Sequence, residues 1–124
     1  MPDRVRRVLV VEDDDAIGSL VEQALVDEGG YEVRRAGDGV EALEVLSDWR
    51  PDVIVLDLMM PRMDGWRFRA EQRRLAIAAD VPVLVASASR RVESLDTDFA
   101  AAVIRKPFDL DELLREVTRL LDLP

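Results

Sequence analysis

A doubly wound parallel α/β sandwich is predicted by three features of this 124-residue sequence. Short, nearly continuous apolar runs rich in β-branched residues read as strands buried on both faces. Segments of helical period separate them. Strand alternating with helix five times requires right-handed crossovers, which lay helices on both sides of one sheet.

Val8-Leu9-Val10-Val11 is the first buried run. Ile17, Leu20, Val21, Ala24 and Leu25 then keep the spacing of one helical face. Gly29-Gly30 ends that helix, glycine being cheap in the left-handed cap conformation. Tyr31 to Ala36 is a more polar strand, suited to an edge. Asp38-Gly39 opens a second helix that runs to about Leu46 and closes before Pro51. Val53-Ile54-Val55-Leu56 is the third strand, and a third helix runs from about Trp66 to Ala78. Val81 to Ala86 is the fourth strand. Arg90 to Phe99 is the poorest helix candidate, because its Ser, Asp and Thr residues favour caps and turns. Ala102 to Arg105 is a short fifth strand. The last helix is the clearest, with Asp109 as N-cap and Leu110, Leu113, Leu114, Val117, Leu120 and Leu121 on one face.

Composition narrows the function. A chain of this length is expected to be one domain over residues 1–124, burying roughly two-thirds of its unfolded surface. Hydrophobic content of 48% with 35% charged residues is that of a soluble globular protein. A net charge of −9 argues against a nucleic-acid surface, which needs clustered cations. Arg4/Arg6/Arg7, Arg73/Arg74 and Arg90/Arg91 read as solvated faces. With no cysteine, disulfide and thiol chemistry are excluded; with no histidine, so are the usual general base and any phosphohistidine step on this chain. No signal peptide, membrane span, linker or repeat is seen, so a cytoplasmic location is the default expectation.

In open α/β sheets, ligands bind beyond the carboxyl ends of the strands. Glu12, Asp13 and Asp14 follow the first strand, Asp57 ends the third, Ser87 the fourth and Lys106 the fifth. Lys106 is the one lysine among 17 basic residues, a hint that a compact ammonium is needed there. Close carboxylates raise one another's pKa unless a cation joins them. Mg²⁺ fits, since it prefers oxygen ligands and keeps room for phosphate. Asp57 could then act as a nucleophile giving an aspartyl-phosphate, with Mg²⁺, Lys106 and Ser87 on the phosphoryl oxygens. Asp14 and Asp15 read as helix caps and dipole partners, Asp64-Gly65 as a turn, and Trp49 and Trp66 as packing residues.

Four motifs carry a resemblance over essentially the whole chain: Val10-Val11-Glu12-Asp13-Asp14, Asp57 to Gly65, Pro82 to Ala88, and Lys106-Pro107-Phe108. In that order, each at a strand end, they resemble the receiver domain of two-component response regulators. The resemblance implies five strands in the flavodoxin-like order 2-1-3-4-5. It implies that Asp57 accepts phosphate from a sensor histidine kinase or phosphotransfer protein. It also implies that Glu12, Asp13, Asp57 and the Met59 carbonyl hold Mg²⁺, that Ser87 and Lys106 contact the phosphoryl group, and that Pro107 follows a cis peptide. A downstream protein effector would read the result, with no direct nucleic-acid or membrane contact; phosphorylation-dependent dimerisation is left open. Starting at Met1 and ending after the last helix suits a stand-alone regulator as well as an isolated receiver.

Two departures from the family pattern bear on output. Val103 stands where receivers often carry a swinging aromatic, and it is stiff at χ1. Only 18 residues separate Ser87 from Lys106, so the fourth helix is shortened. Both suggest signalling through Ser87 and reordering of residues 88–101. Met59 offers no group to orient a hydrolytic water, so slow self-dephosphorylation is expected. Two alternatives stand beside this reading. A phosphohydrolase of the haloacid dehalogenase type would need a second acid where Met59 lies. A pseudo-receiver scaffold would show damage among the acids or the lysine, and none is seen.

Overall fold

The structure, a computed structural model, describes residues 4–122, the side chains of 93 and 94 excepted. Its elements are β1 Arg7–Val11, α1 Asp15–Gly29, β2 Glu32–Ala36, α2 Gly39–Leu46, β3 Val53–Leu56, α3 Gly65–Leu75, β4 Val83–Ser87, β5 Ala102–Arg105 and α4 Leu110–Leu121. All strand pairs are parallel, in the order β2-β1-β3-β4-β5. The predicted architecture is therefore the observed one.

Alternation along the central strands divides the core in two. Val8 and Val10 face α1 and α4 and pack with Leu25, Leu113 and Val117. Leu9 and Val11 face the other way, into a cluster with Ala42, Leu46 and Phe68 from α2 and α3. Residues of β3 and β4 are buried on both faces, which is why their sequences lack the polar alternation of β2. Trp49 packs into the α2/α3 core at 4% exposure, with the guanidinium groups of Arg7 and Arg34 over its ring at 5.3 and 5.0 Å. No helix among the described residues is long and apolar enough to cross a membrane.

Side-chain caps set three helix starts. Asp14 accepts from the Ile17 N–H at 3.0 Å, Asp38 from Glu41 at 2.9 Å and Asp64 from Arg67 at 2.9 Å. Asp64-Gly65, read as a turn, is thus the opening of α3. Asp109 has the backbone of an N-cap, but its side chain makes no capping bond.

Four expectations need correction. The fourth crossover is not an α-helix but a single 3-10 turn, Arg90–Ser94, so four α-helices flank the sheet. Too few residues separate the strands for a helix there, and Ser89 caps the turn through the Arg91 N–H at 3.2 Å. α3 stops at Leu75 because Ala76 and Ala78 take left-handed backbone at φ 54° and 50°, a conformation that costs a residue with a Cβ. β4 begins at Val83, because Pro82 has no N–H for the ladder. Leu20 and Leu110, expected on buried faces, are 56% and 36% exposed. They rim a groove of about 330 Å³ between α1 and the chain after β5.

Asp38 shows how the fold depends on charge. It is buried, and its second oxygen accepts from Arg62 Nε at 2.6 Å. Burial alone would raise its pKa, but the Glu41 N–H, Arg62 and the Val40 N–H together hold it below the ordinary value. A carboxylate depressed in the folded state contributes stability that is complete above its unfolded pKa and lost as pH falls through the lower folded one. Asp38→Ala is accordingly expected to cost about 1–2 kcal/mol at neutral pH. That cost should shrink as acidification removes the same charge from the native chain. Urea unfolding of both chains at neutral and acid pH checks this, and an equal difference at both would contradict it.

Candidate functional site

Glu12, Asp57 and Lys106 each stand one step beyond the carboxyl end of a strand, and Ser87 stands at one; Asp13 and Met59 follow in the loops after β1 and β3. The sheet's own hydrogen bonds fix the three charged residues. The Glu12 N–H donates to the Ala36 carbonyl at 2.9 Å, Asp57 to Val11 at 2.9 Å, and Lys106 to Ser87 at 3.1 Å. The ladder thus continues past β1, β3 and β5 to place three charged side chains on one edge.

There they meet. Lys106 Nζ lies 2.5 Å from Glu12 Oε1 and 3.2 Å from Asp57 Oδ2. Asp57 Oδ1 accepts from the Met59 N–H at 3.3 Å, and Glu12 Oε2 from the Asp14 N–H at 3.1 Å. Glu12 and Asp57 are buried, whereas Asp13 is exposed. Ser87 is fully buried, and its Oγ accepts from the Ser89 N–H at 3.3 Å. The Met59 side chain points outward at 58% exposure while its N–H donates to Asp57. Asp14 caps α1 and Asp15 pairs with Arg35 at 3.2 Å, as expected of residues outside the chemistry.

The charges do not balance. Burial pushes the Glu12 carboxyl up; bonds from Lys106 and the Asp14 N–H pull it back, and the Asp57 charge adds to the upward push. Burial would lower Lys106, but Glu12 and Asp57 outweigh it and hold the ammonium above its ordinary pKa. One ammonium faces three carboxylates. Oxygens of Glu12, Asp13 and Asp57 all lie within 4.8 Å of one another. An octahedral Mg²⁺ separates opposite ligands by about 4 Å, so small side-chain rotations would let these three share one ion. An all-oxygen donor set suits a hard divalent cation and no soft metal.

Gly65 matters to this site. A Cβ there would lie 2.8 Å from the Asp57 carbonyl oxygen and 2.8 Å from Leu58 Cα, both backbone atoms. Only glycine lets α3 begin this close, where its N–H donates to the Leu58 carbonyl at 2.9 Å. Gly65→Ala is expected to destabilise the chain by about 1–3 kcal/mol, as overpacking does. A denaturation midpoint equal to that of the native chain would contradict it.

A five-stranded parallel sheet with an acidic cluster, a carboxylate and a lysine at its carboxyl edge is the arrangement of a receiver domain. The family model for the response regulator receiver domain matches residues 8–118, and this chain belongs to that family. Response regulator MprA of Mycobacterium ulcerans is 44% identical over 119 residues, covering 93% of this chain and 50% of that protein. The chain spans about half the length of the curated relatives it matches. The Francisella response regulator 1452 receiver domain superposes with a TM-score of 0.82 at 33% identity, covering 94% of this chain and 96% of that one. The receiver domain of sensor histidine kinase PA1611 from Pseudomonas aeruginosa PAO1 superposes with a TM-score of 0.81 at 25% identity, covering 97% and 100%. That structure has a magnesium ion coordinated in the active site cleft.

Sequence reading took Gly65 only as part of a turn, without its close approach to Asp57, and missed a buried polar pair on α3, Arg69 and Gln72. The signal was present. Residues 65, 68, 69 and 72 have the spacing of one helical face, and two of the four are polar.

Proposed function

We propose that residues 1–124 form one phosphoacceptor unit in which Asp57 receives a phosphoryl group from a histidine kinase or phosphotransfer protein. The observation that carries this reading is the Asp57 carboxylate itself, buried and held between Lys106 Nζ and the Met59 N–H inside the acidic cluster. Glu12, Asp13 and Asp57, with the Met59 carbonyl, are the proposed ligands of Mg²⁺. When bound, the ion neutralises the carboxylates so that an anionic phosphoryl group can approach.

An Asp57 oxygen forms the new P–O bond as the P–N bond of the donor phosphohistidine breaks, and the imidazole nitrogen keeps that electron pair. Lys106, which already bridges Glu12 and Asp57, turns its ammonium to one phosphoryl oxygen. Ser87 donates a hydrogen bond from its hydroxyl to another, a donation that its acceptor contact with the Ser89 N–H leaves free. Positioning and charge neutralisation do the work, with no acid or base of this chain required. The unit is a signalling module that assists its own phosphorylation and dephosphorylation, and a downstream protein reads the surface around residues 88–108. Intact mass after incubation with acetyl phosphate and Mg²⁺ tests the reading. Gain of one phosphoryl group supports it, and no gain at any Mg²⁺ concentration would leave a scaffold.

A further inference from the structure

α3 carries two polar side chains on the face it turns to the core. Gly65, Phe68, Arg69 and Gln72 are its buried residues, at spacing where a helix covering a sheet ordinarily places apolar groups. Arg69 is 5% exposed and Gln72 0%. Among the described residues Arg69 has no carboxylate partner, so a charge has left water without a countercharge. Its guanidinium is spread over oxygens instead. Nε donates to the Phe99 carbonyl at 3.0 Å, Nη2 to the Asp98 carbonyl at 3.1 Å and Nη1 to Gln72 Oε1 at 2.7 Å. Gln72 Nε2 passes the chain on to the Ala78 carbonyl at 2.9 Å, and Arg73 also donates to the Asp98 carbonyl.

Arg69 Nε and Nη2, with Arg73, converge on the turn 96–100, in the one crossover that has no α-helix, while Gln72 braces Arg69 from the Ala78 carbonyl. Carbonyls that a helix would satisfy internally need outside partners there, and α3 supplies them. The N-terminal end of α3 rests on the candidate site, through the Gly65 N–H on the Leu58 carbonyl and the close approach of Gly65 to Asp57. Between the two ends, Trp66 holds the guanidinium of Arg91, in the 3-10 turn, 4.5 Å from its ring centroid. One rigid helix therefore touches the Asp57 loop and both turns of the segment 88–101.

We propose that Arg69 and Gln72 are a polar latch by which α3 holds residues 96–100 and releases them when the Asp57 site is loaded; this rests on the phosphoacceptor reading above. The chemistry explains why the latch is polar. Opening an apolar contact exposes that surface to water, whereas carbonyls leaving a guanidinium, and the guanidinium itself, both find water as a substitute. The held and released states then differ little, so a small shift at the α3 N-terminus can select between them.

Amide exchange of the full chain, read by mass spectrometry over 88–101 with and without beryllofluoride and Mg²⁺, tests the latch. Arg69→Leu/Gln72→Leu restores an apolar face. Arg69→Lys keeps the charge without the fork and gives the same comparison should the double variant fail to fold. Loading of Asp57 is measured separately in each chain as intact-mass gain from acetyl phosphate. In the native chain, exchange over 96–101 should rise by about tenfold on adding the probe, the size expected for losing one hydrogen bond to a charged group. In the variants it should be fast already and respond little, although they load normally. A variant response equal to the native one, or a loaded native chain whose 96–101 exchange does not change, overturns the latch alone. A native chain that does not load overturns the phosphoacceptor reading, and the latch with it.

Discussion

Asp57→Asn is expected to gain no phosphoryl group under conditions in which the native chain gains one. The substitution keeps the shape of the side chain, so β3 and its ladder bond to Val11 should survive. Its amide oxygen can still accept from Lys106, leaving the amide NH₂ to face the Met59 N–H, two donors without an acceptor. What is lost outright is the nucleophile, since an amide oxygen carries no charge to deliver to phosphorus. Intact mass with acetyl phosphate and Mg²⁺ distinguishes the outcomes. Retained gain in the variant would move the acceptor to another carboxylate, Asp13 being the exposed one at the site. The result therefore tests the residue and not only the family.

Lys106→Met should slow phosphoryl gain by about a hundredfold or more, the range seen when one donor to a developing oxyanion is removed. Methionine follows the lysine stem as far as Cε and can occupy its partly buried place, so the lost group is the ammonium. A second effect follows from the charge imbalance. Without Lys106, one influence that pulls the Glu12 carboxyl down is gone, while burial and Asp57 still push it up. Glu12 should then hold its proton to higher pH. A protonated carboxyl does not bind a hard cation, so the variant's affinity for Mg²⁺ should fall earlier on acidification than that of the native chain. Mg²⁺ should also raise the melting temperature of the variant more than that of the native chain, because the ion supplies the countercharge the lysine gave. Phosphoryl gain within severalfold of native, with equal Mg²⁺ stabilisation of the two chains, would leave Lys106 a structural ion pair.

Some of the site was legible because parallel strands announce their ends. Val8–Val11 and Val53–Leu56 are apolar until the residue that leaves the sheet, and the acids follow at once. Ser87 was legible only through its place on the sequence, since a buried serine is otherwise ordinary. Met59 was expected to offer its carbonyl to a metal; what the fold shows is its N–H on Asp57, a contact the sequence did not announce. The errors fall where tertiary contacts outweigh local pattern. Leu20 and Leu110 have helical spacing yet line a surface groove, because α1 and α4 bury other residues against the sheet. Arg69 and Gln72 look like solvent-facing residues, and only the carbonyls at 78, 98 and 99 make an interior position tolerable.

Strand number, the parallel sheet and the gathering of Glu12, Asp13, Asp57, Ser87 and Lys106 at one edge were determined by the sequence itself. Apolar runs and helical period are local properties, and the handedness of crossovers turns them into a topology. Tertiary structure alone decided that one ammonium, 49 residues along the chain from Asp57, reaches both Asp57 and Glu12, and that α3 holds the turn 96–100. Those contacts depend on strand register and on which helix face meets which carbonyl. Neither quantity is written in the periodicity of any one segment, because each is set by two segments packing together.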